Sequence, residues 1–291
     1  MFIATLLTDP ARAHLDRTTV ESLRNAWAGG DAIWLDPGIA AEFSLPAMPA
    51  NLWNVWASLQ TLSVDLIVQP AAGRRKRVLL ADMDSTMIQQ ECIDELAAVA
   101  GFGPRVAAIT ARAMNGELDF EAALRERVAL LRGLPAAVID DVIRTRITLM
   151  PGGPTLLATM KAHGAYAALV SGGFTSFTAH IAAMLDFDEH RANTLLTAQN
   201  LLTGTVAHPI LGLQAKVQAL HDITARLGLT PQDVLAVGDG ANDLGMLGLA
   251  GTGVALHAKP AVAAQCSVRV NHGDLTALLF LQGYSRPEFA P

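Results

Sequence analysis

Cysteine, aromatic residues and charge are all scarce in this chain of 291 residues, and each scarcity excludes something. The two cysteines, Cys92 and Cys266, lie far apart with no CxxC pair, which excludes a disulfide scaffold or a zinc ribbon and fits a reducing compartment. The eight histidines include no HxH or HExxH pair, so no histidine-ligated metal is expected. Charged residues make up 16% and the net charge is −6. That balance argues against nucleic acid as a partner, because neutralising phosphates needs a basic surface. The one basic cluster, Arg74-Arg75-Lys76-Arg77, is short and reads as a solvated linker.

Apolar residues, by contrast, reach 51%, far too many for a disordered chain. Two uncharged runs, Ala162–Leu185 and Ala192–Ala215, are each 24 residues long, nominally enough to cross a bilayer. The first is broken by Ser171-Gly172-Gly173, and the second holds Asn193, Gln199, Asn200, Gly204, His208 and Pro209. Neither suits a lipid-facing helix. The N-terminus MFIATLLTDPARAH has no basic n-region and reads as no signal peptide. The expectation is a soluble cytoplasmic protein with no membrane or nucleic-acid partner.

The length allows one large domain or two. Residues 1–72 read as a small α/β unit: strands at Phe2–Leu7, Ala32–Leu35 and Val64–Val68, with helices at Val20–Trp27 and around Trp53–Leu59. Trp27, Trp34, Trp53 and Trp56 are expected to pack its core. Pro70-Ala71-Ala72-Gly73 supplies linker signals, so the boundary is set near residue 72. Residues 73–291 form the second unit, expected to fold and act alone. Its apolar strands Val78–Leu80, Ala165–Val170 and Asp233–Val237 alternate with helical stretches, notably Leu213–Leu227, while residues 91–146 look wholly helical. Such alternation implies a parallel sheet with helices on both faces, whose ligands bind beyond the carboxyl ends of the strands.

All three strands end in polar motifs: Asp82-Met83-Asp84-Ser85-Thr86, Ser171-Gly172-Gly173 and Gly238-Asp239-Gly240-Ala241-Asn242-Asp243. Asp82, Asp84, Asp239 and Asp243 converging in one crevice would repel one another unless a hard divalent cation compensates, and Mg²⁺ takes such oxygen ligands. Taken singly, each aspartate could merely cap the helix that follows. Three motifs at three strand ends favour the shared site. The glycines leave backbone N–H groups open to an anion, helped by a helix N-terminus behind Ser171. There is no P-loop and no dinucleotide fingerprint; Gly251-Thr252-Gly253 reads as a turn. Arg127 shares the apolar face of Phe120, Leu124, Val128 and Leu131, where a guanidinium either snorkels to solvent or meets a carboxylate. Glu91 and Lys216, by pattern alone, read equally as surface charges.

Residues 76–285 resemble the haloacid-dehalogenase-like phosphatases, and within them the phosphoserine phosphatase family. The resemblance rests on DMDST (82–86), Glu91 in QQECIDE, MNGELDFEAALRERV (114–128), SGGFT (171–175), Lys216 and GDGAND (238–243). It implies a Rossmann-like α/β fold with a helical cap at about 91–147, preceded by an ACT-like module at 1–72. It also implies Mg²⁺-dependent hydrolysis of O-phosphoserine through an aspartyl-phosphate, the last step of serine biosynthesis. By the same resemblance Asp82 is the nucleophile and Asp84 the acid–base. Mg²⁺ is held by Asp82, the Asp84 backbone carbonyl and Asp239, with Asp243 in support. Ser171, Gly172 and Lys216 hold the phosphate, and Asn242 adds a polar contact. Arg127 takes the substrate carboxylate and Glu91 its ammonium, while Met114 and Phe120 shield the pocket. A phosphotransferase, a phosphatase for another small phosphomonoester, and a non-catalytic amino-acid sensor remain as alternatives, and a homodimer stays open.

Overall fold

The computed structural model describes residues 1–115 and 117–290, apart from the side chain of Met114. Residues up to 70 form β1 (Phe2–Leu7), α1 (Arg17–Ala26), β2 (Ile33–Asp36), β3 (Ala40–Leu45), α2 (Leu52–Gln60) and β4 (Asp65–Pro70). The four strands make an antiparallel sheet in the order β2-β3-β1-β4. Strand β3 was not legible in the sequence, because Glu42 interrupts its apolar pattern. Glu42 is buried there and accepts from both terminal guanidinium nitrogens of Arg74.

Beyond residue 77 the chain builds a wholly parallel six-stranded sheet. Strand β5 (Val78–Ala81) leads into the helical insertion α3 (Cys92–Val99), α4 (Gly103–Met114), α5 (Phe120–Ala129) and α6 (Val138–Arg146). Then come α7 (Gly153–Ala162), β6 (Tyr166–Phe174), α8 (Thr175–Leu185), β7 (Glu189–Asn193), the hairpin β8 (Leu195–Ala198) and β9 (Leu201–Val206), and α9 (Leu213–Leu227). The chain closes with β10 (Val234–Gly238), α10 (Leu244–Leu249), β11 (Thr252–Leu256), α11 (Pro260–Ala263), β12 (Val268–Val270) and α12 (Ala277–Leu281). The order β12-β11-β10-β5-β6-β7 places the first strand, β5, in the middle. Strands β6 and β7 lie on one side of it and β10, β11 and β12 on the other, so a crevice opens at its carboxyl end. Every residue of β5 and β10 is buried, as expected of a strand covered on both faces.

Two local readings need correction. Ser171-Gly172-Gly173 does not follow its strand but lies within β6, where the pairing with β7 slips between Val170 and Phe174. Gly251-Thr252-Gly253 is no turn: it opens β11, and a side chain at Gly253 would strike the Leu247 carbonyl at 2.0 Å.

The basic run is only partly solvated: Arg75 and Arg77 are exposed, whereas Arg74 and Lys76 are half-buried. Arg74 also donates to the carbonyls of Leu281 and Phe280, Arg75 stacks 4.1 Å over Tyr284 and bonds Glu288, and Lys76 donates to the Gln232 carbonyl. Trp27, Trp34 and Trp56 pack on the first sheet's core, whereas Trp53 is 45% exposed beneath the guanidinium of Arg269.

The two sheets share buried surface. Leu7, Leu35, Ala40 and Ile67 join the same apolar cluster as Leu278 and Phe280. Buried Asp65 accepts N–H groups from Asn271, His272 and Gly273 at 3.0, 2.8 and 2.9 Å. Removing one carboxylate therefore strands three donors, each costing about 1–3 kcal/mol if it stays dry. Two of the three are only partly buried and can rehydrate. Asp65→Ala is expected to cost about 2–4 kcal/mol in urea unfolding, and a loss below about 0.5 kcal/mol would show that this anchor is superficial.

Candidate active site

Asp82 directly follows β5, its backbone N–H bonded to the Val237 carbonyl of β10 at 3.0 Å. The chain then coils tightly over Met83 and puts Ser85 in the left-handed region at φ 54. This turn aims Asp84 at the first turn of α3, where Asp84 Oδ1 accepts the Cys92 N–H at 3.1 Å. Ser85 donates its hydroxyl to Glu91 Oε1 at 2.7 Å.

On the other side of β5, Asp243 organises the loop after β10. Its Oδ2 accepts the N–H groups of Asp239 and Gly240 at 3.1 and 3.0 Å. Lys216, from the first turn of α9, is 1% exposed and places its Nζ 2.6 Å from Asp82 and 2.5 Å from Asp243. Ser171 accepts the Gly173 N–H at 2.8 Å. Any side chain at Gly173 would meet Asp84 at 2.5 Å, and any at Gly172 would meet the Phe120 ring at 2.7 Å. The two glycines therefore let the end of β6, the acidic loop and the cap approach one another closely.

Oxygen atoms of Asp82, Asp239 and Asp243 all lie within 4.8 Å of one another, and all three residues are buried. The carboxylate of Asp84 is outside this group. Lys259 Nζ stands 3.3 Å from Asp239 Oδ2 without the alignment of a hydrogen bond, and that oxygen and Asn242 Oδ1 are buried with no hydrogen-bond partner among the described residues. Two ammonium groups thus face three carboxylates. A further cation with affinity for hard oxygen fits this donor set.

Asp82, Asp84, Glu91, Arg127, Ser171, Gly172 and Asn242 line one pocket, with Phe120 and Leu124 from the cap. Lys216 and Asp239 lie behind its floor. Arg127 is 2% exposed, and its hydrogen bonds go to the Ala123 carbonyl and the Thr110 hydroxyl rather than to a carboxylate. Sequence reasoning missed Thr110, Lys259 and Asn193. Asn193 is buried, donating to the Gly172 and Leu211 carbonyls and accepting the Leu211 N–H, which ties the β6 loop to the approach of α9. No local pattern marks such residues, since each acts through partners distant in sequence. Met114, expected to shield the pocket, has a side chain outside the described residues.

Burial dominates the electrostatics. It raises Asp82 well above the usual carboxylate range, with Asp243 adding to the rise and Lys216 opposing it. Burial and Asp243 push Asp239 up to about 6, and burial with Asp84 and Asp239 pushes Glu91 up to about 8. Burial also disfavours the ammonium of Lys216, but Asp243 and Asp82 outweigh it and raise its pKa.

Residues 79–248 match the haloacid dehalogenase-like hydrolase family. A phosphoserine phosphatase of Polaromonas sp. is 46% identical over 76% of this chain and 97% of its own length. The chain belongs to the haloacid dehalogenase-like hydrolases, in their phosphoserine phosphatase branch. Phosphoserine phosphatase SerB2 of Mycobacterium tuberculosis is 44% identical over 77% of this chain, but the match spans only 55% of that longer protein. Among solved structures, a HAD family hydrolase from Salmonella enterica serovar Typhi aligns over 97% of this chain and 98% of its own, with TM-score 0.85 and 34% identity. A phospho-aspartyl intermediate analogue of phosphoserine phosphatase aligns over 71% of this chain and 98% of its own, with TM-score 0.68 and 38% identity.

The raised carboxylates have a consequence for stability. A carboxyl whose folded pKa exceeds its unfolded value stabilises at low pH and loses that contribution as pH rises through the folded value. The window therefore runs from about 4 in the unfolded chain to about 6 for Asp239 and about 8 for Glu91. In cation-free buffer the Tm is expected to fall across this window. Glu91→Gln is expected to flatten its upper half, and a Tm that is flat or rises with pH in the parent protein would contradict the burial effect.

Proposed function

We propose that this chain hydrolyses O-phosphoserine to serine and phosphate with Mg²⁺, closing serine biosynthesis. One observation carries the substrate: a buried guanidinium with no carboxylate partner and a carboxylate, Glu91, line the same pocket as the acids of the phosphate site. A bare phosphomonoester needs neither group, whereas an amino-acid phosphate presents the complement of both.

In this reading Asp82 attacks phosphorus. Lys216 holds Asp82 Oδ1, which fixes the carboxylate and opposes the burial that disfavours its charge. The new bond gives an aspartyl-phosphate and splits one hard step into two. Asp84 donates a proton to the leaving serine oxygen, then takes one from the water that cleaves the intermediate. Burial raises its pKa, which favours the protonated form that the leaving oxygen needs. Ser171, the Gly172 backbone and Asn242 bind the phosphate oxygens, with Lys216 adding charge from below. Mg²⁺ at Asp82, Asp239 and the Asp84 carbonyl, with Asp243 behind, would neutralise charge on the phosphoryl oxygens. Phe120 closes over Gly172 and limits the entry of water.

We further read residues 1–72 as an ACT-like module docked on the phosphatase unit 73–291. Cys92 and Cys266 are both unpaired, which supports a cytoplasmic location. No helix among the described residues is long and apolar enough to cross a membrane.

Asp82→Asn is expected to lower kcat below about 1% of wild type while leaving the melting curve intact, since an amide is a poor nucleophile and a poor ligand. EDTA should abolish activity and Mg²⁺ restore it; full turnover in metal-free buffer would refute the cation. Arg127→Ala and Glu91→Gln should each reduce kcat/KM for phosphoserine about ten- to a hundredfold. The loss toward p-nitrophenyl phosphate, which has neither carboxylate nor ammonium, should be far smaller. Equal losses on both substrates would overturn the assignment of phosphoserine.

A further inference from the structure

Behind the pocket, Arg127 is held in an unusual way. Its Nε–H donates to the Ala123 carbonyl one turn back at 3.1 Å, and its Nη1–H donates to the Thr110 hydroxyl at 2.9 Å. That hydroxyl donates in turn to Asp94 Oδ1 at 2.6 Å. Three helices meet in this chain of bonds: Asp94 sits on α3, Thr110 on α4 and Arg127 on α5. Thr110 is 3% exposed, so little water competes.

The direction of the bonds is forced. A guanidinium has no acceptor and an ionised carboxylate no donor, so the hydroxyl between them accepts from Arg127 and gives its proton to Asp94. The spacing has a chemical effect. Direct contact between Asp94 and Arg127 would form a bidentate fork and commit the N–H groups that a ligand needs. With Thr110 between them, the negative charge still offsets the buried cation, yet no carboxylate occupies its donors.

We propose that Thr110 and Asp94 are positioning residues that orient Arg127 and keep its remaining N–H groups available, so that preference for a carboxylate-bearing substrate is set behind the pocket wall. This rests on the reading of Arg127 as the carboxylate-binding group. Lost orientation weakens binding of the carboxylate and leaves phosphoryl transfer to Asp82 and Asp84 largely untouched. The effect therefore falls on KM for substrates carrying that group. A role confined to tying the cap helices together would damage every substrate alike.

The test compares O-phosphoserine with O-phosphoethanolamine, the same molecule without its carboxylate, in steady-state kinetics of the full chain. Thr110→Val keeps the shape and removes the hydroxyl, and Thr110→Ser keeps the hydroxyl. Thr110→Val is expected to raise KM for phosphoserine about tenfold, the worth of one charge-assisted hydrogen bond, with kcat changed by less than about twofold. KM for phosphoethanolamine should change much less. Thr110→Ser should recover most of the loss, and Thr110→Val should add nothing in an Arg127→Ala background. Equal losses on both substrates, an unchanged KM for phosphoserine, or no recovery by serine would overturn the proposal. Should Thr110→Val fail to fold, Asp94→Asn with Thr110→Ser answers the same question by the same ratio of KM values. If Arg127→Ala does not separate the two substrates, the phosphoserine reading itself fails; if it does and Thr110→Val does not, only the positioning role is lost.

Discussion

The ammonium of Lys216, buried between Asp82 and Asp243, is the contact on which the rest of the site depends. It draws together the end of β5, the start of α9 and the loop after β10. Burying these charges is expensive, and only close, well-aligned partners offset the loss of water. Here the second oxygen of Asp243 is also used, on the backbone N–H groups of Asp239 and Gly240, so one side chain shapes the loop that carries the third acid. Taking away Lys216 would leave Asp82 and Asp243 buried and uncompensated.

Even so, the arrangement is electrically incomplete. Three carboxylates face two ammonium groups, and Asp239 Oδ2 and Asn242 Oδ1 have no hydrogen-bond partner among the described residues. Raised carboxyl pKa values follow from this deficit, because burial penalises charge that nothing nearby balances. Such a donor set fits a further cation with affinity for hard oxygen. Across the pocket, the cap adds the guanidinium of Arg127 and seats Phe120 against Gly172 and Gly212, where added side chains would come within 2.7 and 3.1 Å of its ring.

The N-terminal sheet is more than an appendage. Arg74 bonds Glu42 and two carbonyls of α12, Gln69 donates to the Leu281 carbonyl at 2.7 Å, and Asp65 caps the loop after β12. These bonds are partly or wholly buried and surround a shared apolar core. They hold the sheet against β12, the edge strand of the parallel sheet, and against α12.

Sequence alone determined the elements with strong local pattern. Helix α9 runs over Leu213–Leu227 as its periodicity predicts, β1 over Phe2–Leu7 as its apolar run predicts, and the acids fall at strand ends. The motifs named the chemistry because the spacing of Asp82 and Asp84 and the glycines beside Ser171 are local facts. Strands β3, β7 and β11 escaped notice, because buried Glu42, the polar run EHRAN and Gly253 of β11 are acceptable in strands only next to partners elsewhere in the chain. The basic run at 74–77 looked solvated for the same reason. Lys216 shows the limit most clearly: by pattern it is an ordinary helix charge, and only the tertiary structure places it between two carboxylates. Thr110 carries no local signal at all, since a hydroxyl on a helix acquires meaning from the ions on either side of it, and those belong to two other helices. What a residue is was written in the sequence; which charges it must balance was decided by the fold, because electrostatic compensation in a buried site depends on distance in space.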